Sequence, residues 1–337
     1  MFRQMVLPKD RLGRGLRDLR ISVTDRCNFR CRYCMPVETF GPGYAFMPRE
    51  ELLTFEEILR LVRELVPLGV EKIRLTGGEP LMRRGLPDLI ALISAVDGIR
   101  DIAITTNGVL LAHQAEALAL AGLSRVTVSL DALDPEVFGK MNGVGAKVER
   151  VIAGIQAAQN FGLPVKVNAV IQRGVNEDQI LPLARWAKSI GVDMRYIEFM
   201  DVGETNGWKM DSVVSGAEIL DILATEFPLV PRDPAYRGEV AANWAHAKSA
   251  GGIGLIRSVT KPFCQDCQRL RLSADGKIYT CLFAEAGHDL RGLLRSGMPD
   301  EAIARVVKSI WQVRADRYSE ERGKVHRPKA EMSYLGG

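Results

Sequence analysis

Between Leu52 and Phe199, short apolar runs alternate with longer amphipathic stretches. The runs predict strands at Lys72–Thr76, Asp101–Thr105, Arg125–Ser129, Val165–Val170 and Asp193–Phe199, with Ile21–Thr24 ahead of them. The stretches between carry apolar positions at helical spacing, as in Thr54–Leu65, Leu110–Ala121 and Val148–Asn160. Such alternation predicts a parallel sheet, either a barrel or a doubly wound sheet. Thr76-Gly77-Gly78-Glu79-Pro80, Thr105-Thr106-Asn107-Gly108 and Ser129-Leu130-Asp131 place polar or glycine residues where strands end. A barrel gathers its reactive groups at that rim. The expected fold is therefore α/β: an incomplete (β/α)6 TIM-like barrel over residues 1–200, with a C-terminal extension over 201–337.

Two strands carry polar side chains on one face. Lys72, Arg74 and Thr76 share a face while Ile73 and Leu75 share the other, and Lys166 and Asn168 alternate with Val165 and Val167. A purely structural barrel fills its interior with branched apolar residues. Charges there point to a polar ligand inside, the alternative being exposed charges on an edge strand. After about Asp201 the rhythm weakens, punctuated by Pro228, Pro231, Pro234 and Gly238. Arg269–Ser273 and Lys277–Leu282 read as a hairpin joined through Ala274-Asp275-Gly276. Two further helical patterns lead to a tail ending Gly336-Gly337.

Composition narrows the classes. With 337 residues, 47% hydrophobic and 26% charged, the chain can build one large α/β domain with an extension, or two domains. A net charge of +4 is too small to indicate a nucleic-acid partner. No apolar run reaches bilayer length, and Met1–Asp10 lacks a signal-peptide core, so a cytoplasmic protein without a membrane partner is expected. His113, His246, His288 and His326 have no cysteine at ligand spacing and read as packing or surface residues. There is no Ser-His-Asp arrangement and no phosphate-binding P-loop, so hydrolase and kinase chemistry are unsupported.

The six cysteines fall into two groups of three, Cys27/Cys31/Cys34 and Cys264/Cys267/Cys281. Disulfides would need even groups, or bridges across the whole chain in an oxidising compartment; three plus three reads as two metal sites. The first group is C-x3-C-x2-C in a loop directly after a strand. Three thiolates so spaced can wrap one cubane cluster and leave one iron open to a small molecule. A structural zinc ion takes four protein ligands, and no fourth is nearby. The second group, Cys264-x2-Cys267-x13-Cys281, straddles the hairpin. Zinc or an electron-relay cluster are its alternatives, but the fourth ligand is again missing. Arg269 and Arg271, on one strand face beside it, suggest an anionic ligand.

The C-x3-C-x2-C pattern with Tyr33 before its last cysteine resembles the signature of the radical S-adenosylmethionine (SAM) superfamily. The resemblance implies a [4Fe–4S] cluster on Cys27, Cys31 and Cys34, with SAM on the open iron. Gly77-Gly78-Glu79-Pro80 is similar to that family's glycine-rich motif, and Tyr33, Gly77, Gly78, Glu79, Ser129 and Met200 match SAM-contacting positions. Leu19-Arg20-Ile21-Ser22-Val23-Thr24-Asp25-Arg26-Cys27, Tyr33-Cys34-Met35-Pro36, Ile73–Pro80, Arg195–Met200 and the tail extend the likeness over nearly the whole chain. They resemble the branch of the family that cyclises GTP in the first step of molybdenum cofactor biosynthesis, which more often has isoleucine where Leu335 stands.

That branch implies a second [4Fe–4S] cluster on Cys264, Cys267 and Cys281, with GTP contacts at Arg20, Lys72, Arg74, Thr105, Lys166, Arg195, Arg269, Leu270, Arg271, Gly336 and Gly337. It also implies a homodimer, a reductant such as flavodoxin or ferredoxin, and a downstream cyclic pyranopterin monophosphate synthase. One rival is a radical SAM peptide-modifying enzyme with an auxiliary cluster, a group that typically carries more C-terminal cysteines than three. Another, a non-enzymatic electron carrier or zinc scaffold, leaves the glycine motif and the inward cations unexplained.

Overall fold

The computed structural model describes residues 7–246, 251–324 and 327–336. Six strands, β1 (Asp18–Ser22), β2 (Lys72–Thr76), β3 (Asp101–Thr106), β4 (Arg125–Ser129), β5 (Val165–Ile171) and β6 (Asp193–Glu198), lie parallel in sequence order. Helices α1 (Phe55–Leu65), α2 (Leu86–Ser94), α3 (Ala115–Leu120), α4 (Pro135–Asn142), α5 (Val148–Asn160) and α6 (Ile180–Ser189) connect them, and α7 (Gly216–Ala224) follows β6. The strand periodicity decides which face meets the helices. In β2, Ile73 and Leu75 are buried in the layer beneath the helices, while Lys72 and Arg74 line the opposite, concave side. Helix α1 shows the local logic: Thr54 and Glu57 form a reciprocal capping box, and Ile58, Leu61, Val62 and Leu65 form its buried stripe.

The C-terminal third adds strands to both edges of this sheet. β7 (Leu229–Arg232), β8 (Ala242–His246) and β9 (Gly252–Ile256) lie beyond β6, and β10 (Arg269–Leu272), β11 (Lys277–Tyr279) and β12 (His288–Asp289) lie beyond β1. β9 pairs parallel with β6 and β10 parallel with β1; the outer strands are antiparallel. The result is a single twelve-stranded mixed sheet, ordered 12-11-10-1-2-3-4-5-6-9-8-7. Its concave face curves around one cavity, which receives side chains from β1 to β6 and from β10. Helices α8 (Arg291–Arg295) and α9 (Asp300–Val313) follow, and α9 packs on α1. Among the described residues no helix is long and apolar enough to cross a membrane.

The first strand, expected at Ile21–Thr24, lies earlier, at Asp18–Ser22, where it pairs with β2 and β10, and the second hairpin strand, expected at Lys277–Leu282, ends at Tyr279. One predicted helix differs as well. Leu110–Ala121, expected as one helix, is a 3-10 turn at Leu111–His113 followed by α3, with the break at Gln114. The Gln114 side chain donates instead to the Leu81 carbonyl (3.0 Å), a tertiary contact that helical periodicity does not encode.

Candidate active site

A cavity of about 350 Å³ runs through the curved sheet. Cys27, Cys31 and Cys34 lie just after the C-terminal end of β1, while Cys264 and Cys267 precede the N-terminal end of β10. Cys281 follows β11, which runs opposite to β10 and so ends on the same side. The trios therefore occupy opposite ends of the cavity, and all six sulfurs are free thiols.

The first trio sits on a loop held from behind by the loop after β2. Gly78 N donates to Thr24 O and Glu79 N to Arg26 O, both at 2.8 Å. Gly77 adopts φ 146°, and a Cβ there would overlap Thr24 O; one at Gly78 would overlap Arg26 O. Glycine is demanded here by the neighbouring backbone. Cys27 Sγ accepts from Phe29 N (3.4 Å) and faces Asn107 Nδ2 at 3.9 Å. Asn107 is itself placed by Glu79, whose carboxylate accepts from Asn107 N and Thr106 Oγ1 (2.7 Å each) and whose buried position pushes its pKa up to about 7. Burial, then the Glu79 charge, pushes the Cys27 thiol up to about 12, and burial raises Cys31 and Cys34 as well. Thiols so placed keep their protons until a cation replaces them, which suits an iron-binding loop. Tyr33 donates to Asp131 (2.8 Å), and Asp131 also accepts from Val170 N, tying the loop to the ends of β4 and β5.

The middle of the cavity is cationic. The register aligns Arg271 of β10, Arg20 of β1 and Arg74 of β2 in one row, so neighbouring side chains stand about 5 Å apart. Burial, followed by the neighbouring Arg271 and Arg269 charges, lowers the pKa of Arg20; burial and Arg20 bring Arg74 down to about 9; burial and Arg269 bring Arg271 to about 10. Like charges held together out of water are relieved by a polyanion between them. A second row holds Ser129, Asn168 and Arg195. Asn168 Oδ1 and Arg195 Nε are buried without a hydrogen-bond partner while their residues line the cavity. Orphaned polar atoms of this kind call for a polar ligand.

At the far end Cys267 Sγ meets Arg269 Nη2 and Arg314 Nη2, each at 3.2 Å. Burial pushes its pKa up, but these two cations outweigh it and bring the thiol down to about 6; Cys281, buried and near Asp316, rises to about 12. Among the described residues, no three His, Cys, Asp or Glu side chains converge as ligands of one ion would. In a cubane each thiolate meets its own iron, so its ligands need no common point.

Comparison with known proteins fits this layout. The model of the radical SAM superfamily matches residues 21–187, and that of Molybdenum Cofactor Synthesis C matches 192–320. A GTP 3′,8-cyclase from Acidothermus cellulolyticus is 49% identical, the match covering 98% of this chain and 99% of that protein. One from Xanthomonas axonopodis pv. citri is 51% identical, covering 98% of each. The chain belongs to the GTP 3′,8-cyclase family. The fold is shared more widely: Streptococcus suis SuiB bound to S-adenosylmethionine superposes with a TM-score of 0.62 at 15% identity, over 88% of this chain and 68% of that one.

Within this member of the cyclase family, Tyr33, Gly77, Gly78, Glu79, Ser129 and Met200 all line the cavity at or near the first trio's end. Arg20, Lys72, Arg74, Thr105, Arg195, Arg269 and Arg271 line it further in, with Arg74 Nη1 donating to Thr105 Oγ1 (2.9 Å). Lys166 is not among the lining residues: its Nζ pairs with Asp193 at 2.8 Å beside a smaller hollow under β8 and β9. The Leu270 side chain points the other way from its arginine neighbours, into the apolar core. Gly336, with φ 71°, accepts from Arg271 Nη1 (2.9 Å) and sits against Thr76. Gly337 lies outside the described residues.

Three further residues belong to the site beyond those the sequence marks as candidates. Asn107 and Asp131 stand at strand ends already noted as polar, so their signal was present. Arg314, 47 residues from Cys267 in sequence, gave none.

Proposed function

We propose that this chain cyclises GTP to (8S)-3′,8-cyclo-7,8-dihydroguanosine 5′-triphosphate, the first step of molybdenum cofactor biosynthesis. In this reading Cys27, Cys31 and Cys34 hold a [4Fe–4S] cluster that carries SAM, and Cys264, Cys267 and Cys281 hold a second. When bound and reduced, the first cluster would supply the one electron that cleaves the SAM C5′–S bond, giving methionine and the 5′-deoxyadenosyl radical that would take hydrogen from C3′ of the ribose. The observation that carries the proposal is the row Arg271–Arg20–Arg74, lining the cavity between the two cysteine trios.

Each residue then has a positional task. Tyr33, Gly77, Gly78, Glu79, Ser129 and Met200 form the SAM end. Arg20, Lys72, Arg74, Thr105, Arg195, Arg269 and Arg271 bind the triphosphate and hold the nucleotide lengthwise, with the base toward the second trio. Lys166 would join them by exchanging Asp193 for phosphate, and Leu270 would contribute through its backbone alone. Holding ribose and adenosyl carbon in contact while excluding water converts binding energy into rate. The tail from Met332 to Gly336 closes one side, supported by the bond from Arg271 to Gly336. Residues 1–200 would generate the radical and 201–337 supply the second cluster and substrate contacts. A reductant of the flavodoxin or ferredoxin type, a homodimer and a downstream cyclic pyranopterin monophosphate synthase complete the proposal.

The test is anaerobic incubation of iron-loaded protein with SAM, dithionite and GTP deuterated at C3′. The expected result is 5′-deoxyadenosine carrying the deuterium, together with a cyclised nucleotide. Recovery of intact GTP alongside unlabelled deoxyadenosine would overturn the assignment.

A further inference from the structure

Beyond the cations proposed to meet GTP, a second group of buried charges surrounds the C-terminal trio. The Asp10 side chain is fully buried; it accepts from Arg14 Nε (2.5 Å), from Leu12 N and Arg14 N (2.9 Å each), and pairs with Arg314 Nη1 at 3.3 Å. Arg14 Nη1 donates to Cys264 O (2.7 Å) and Asp316 O (2.9 Å). Arg314 Nη1 donates to Cys267 O (2.8 Å) and its Nη2 to Cys267 Sγ (3.2 Å). The Arg314 guanidinium lies over the Trp311 ring at 4.6 Å, and Trp311 Nε1 donates to Arg14 O (3.0 Å). Two guanidinium groups, each on a side chain only 1% exposed, thus hold the carbonyls of both cysteines in Cys264-x2-Cys267, and one carboxylate locks both.

Burying two arginines and an aspartate costs several kcal/mol per ion before pairing, and an apolar cluster would join α9 to the N-terminal loop as well. Charge is needed only if something at this turn must be fixed and neutralised. Arg314 is the member that touches a ligand sulfur as well as a backbone oxygen. A cation and an N–H donor on a ligand sulfur favour the more negative, reduced form of a cluster, and so raise its potential.

We infer that Arg314, fixed by Asp10 and stacked on Trp311, is a positioning residue that holds Cys267 for the second cluster and raises that cluster's reduction potential. The inference rests on the second-cluster reading above. Arg14 performs the matching mechanical task at Cys264 without touching sulfur.

The test compares the unaltered iron-loaded protein with Arg314→Gln and Arg314→Lys, by iron content and by redox titration followed by electron paramagnetic resonance. The signal that changes on adding SAM marks the first cluster. In Arg314→Gln the other cluster is expected to titrate at lower potential or be lost, leaving about four irons of about eight, while the SAM-responsive cluster keeps its midpoint. Arg314→Lys, which keeps the charge but not the two-atom grip, should fall between, and serves alone where Arg314→Gln gives no soluble protein. Full iron content with both midpoints unchanged would overturn the inference, as would an equal shift of both. Four irons in the unaltered protein would instead overturn the second-cluster reading, and with it any role for the clamp.

Discussion

Arg20, Arg74 and Arg271 are costly neighbours: Arg271 is buried and the other two are half-buried, each has its pKa lowered, and each stands one strand from the next. Their arrangement makes sense as one half of an ionic contact. A charge-assisted hydrogen bond contributes roughly 1.5–3 kcal/mol, so Arg269→Ala combined with Arg271→Ala should weaken GTP binding by about two to four decades. SAM binding should be retained, because its end of the cavity lies on the opposite side. Equilibrium binding of each ligand to the anaerobic protein checks both halves. At this scale sequence reading has a clear limit. Period-two spacing correctly put Arg74 on the concave face, and put Lys166 with Asn168. It could not say that Lys166 would be met by Asp193, because that partner comes from register with β6.

Among the elements, the loop after β2 and the cysteine loop behave as one unit. Gly77-Gly78 lies in the run that resembles the family's SAM-contacting motif, and the structure adds a second demand, since the Thr24 and Arg26 carbonyls fill the space a side chain would need. Gly78→Ala should push the cysteine loop out of place. Iron content should then fall by about half, from about eight, and SAM binding should be lost. Gly43→Ala, whose Cβ would point into open space, is the control and should change neither. Strands with strong alternation were legible almost to the residue: Lys72–Thr76 and Arg125–Ser129 are observed as predicted. The Leu110–Ala121 segment was not, because its interruption depends on Gln114 reaching a loop that is distant in sequence.

The whole molecule is closed by its C-terminal segment, which crosses back to the end of β6. Asp201, directly after Met200, accepts from Tyr318 Oη (2.6 Å) and Arg322 Nε (2.8 Å), and Lys329 Nζ donates to its carbonyl (2.9 Å) and lies 3.3 Å from its carboxylate. Further along, Glu331 accepts from Glu204 N and Thr205 Oγ1, and Tyr334 donates to Asp275 (2.5 Å) before the chain reaches Arg271. Removing one partner of a buried ion pair typically costs 3–5 kcal/mol. Asp201→Asn should therefore speed amide exchange over residues 318–324 and 327–336 while β1 to β6 stay protected, because among the described residues the segment adds no strand to the sheet. Hydrogen exchange read by mass spectrometry distinguishes this local release from global loosening.

By itself the sequence determined the repeating strand–helix unit, the grouping of six cysteines into two trios, and the polar face of β2. Each is a short-range property: spacing of two, of three to four, or of residues within one loop or across one hairpin. Only the tertiary structure decided that strands from the last third flank both edges of the parallel core, that the trios face one another through a single cavity, and that Asp10, Arg14 and Arg314 meet at one of them. Those outcomes depend on pairing between segments up to about three hundred residues apart. Parallel register and burial choose such partners, and no local pattern records the choice.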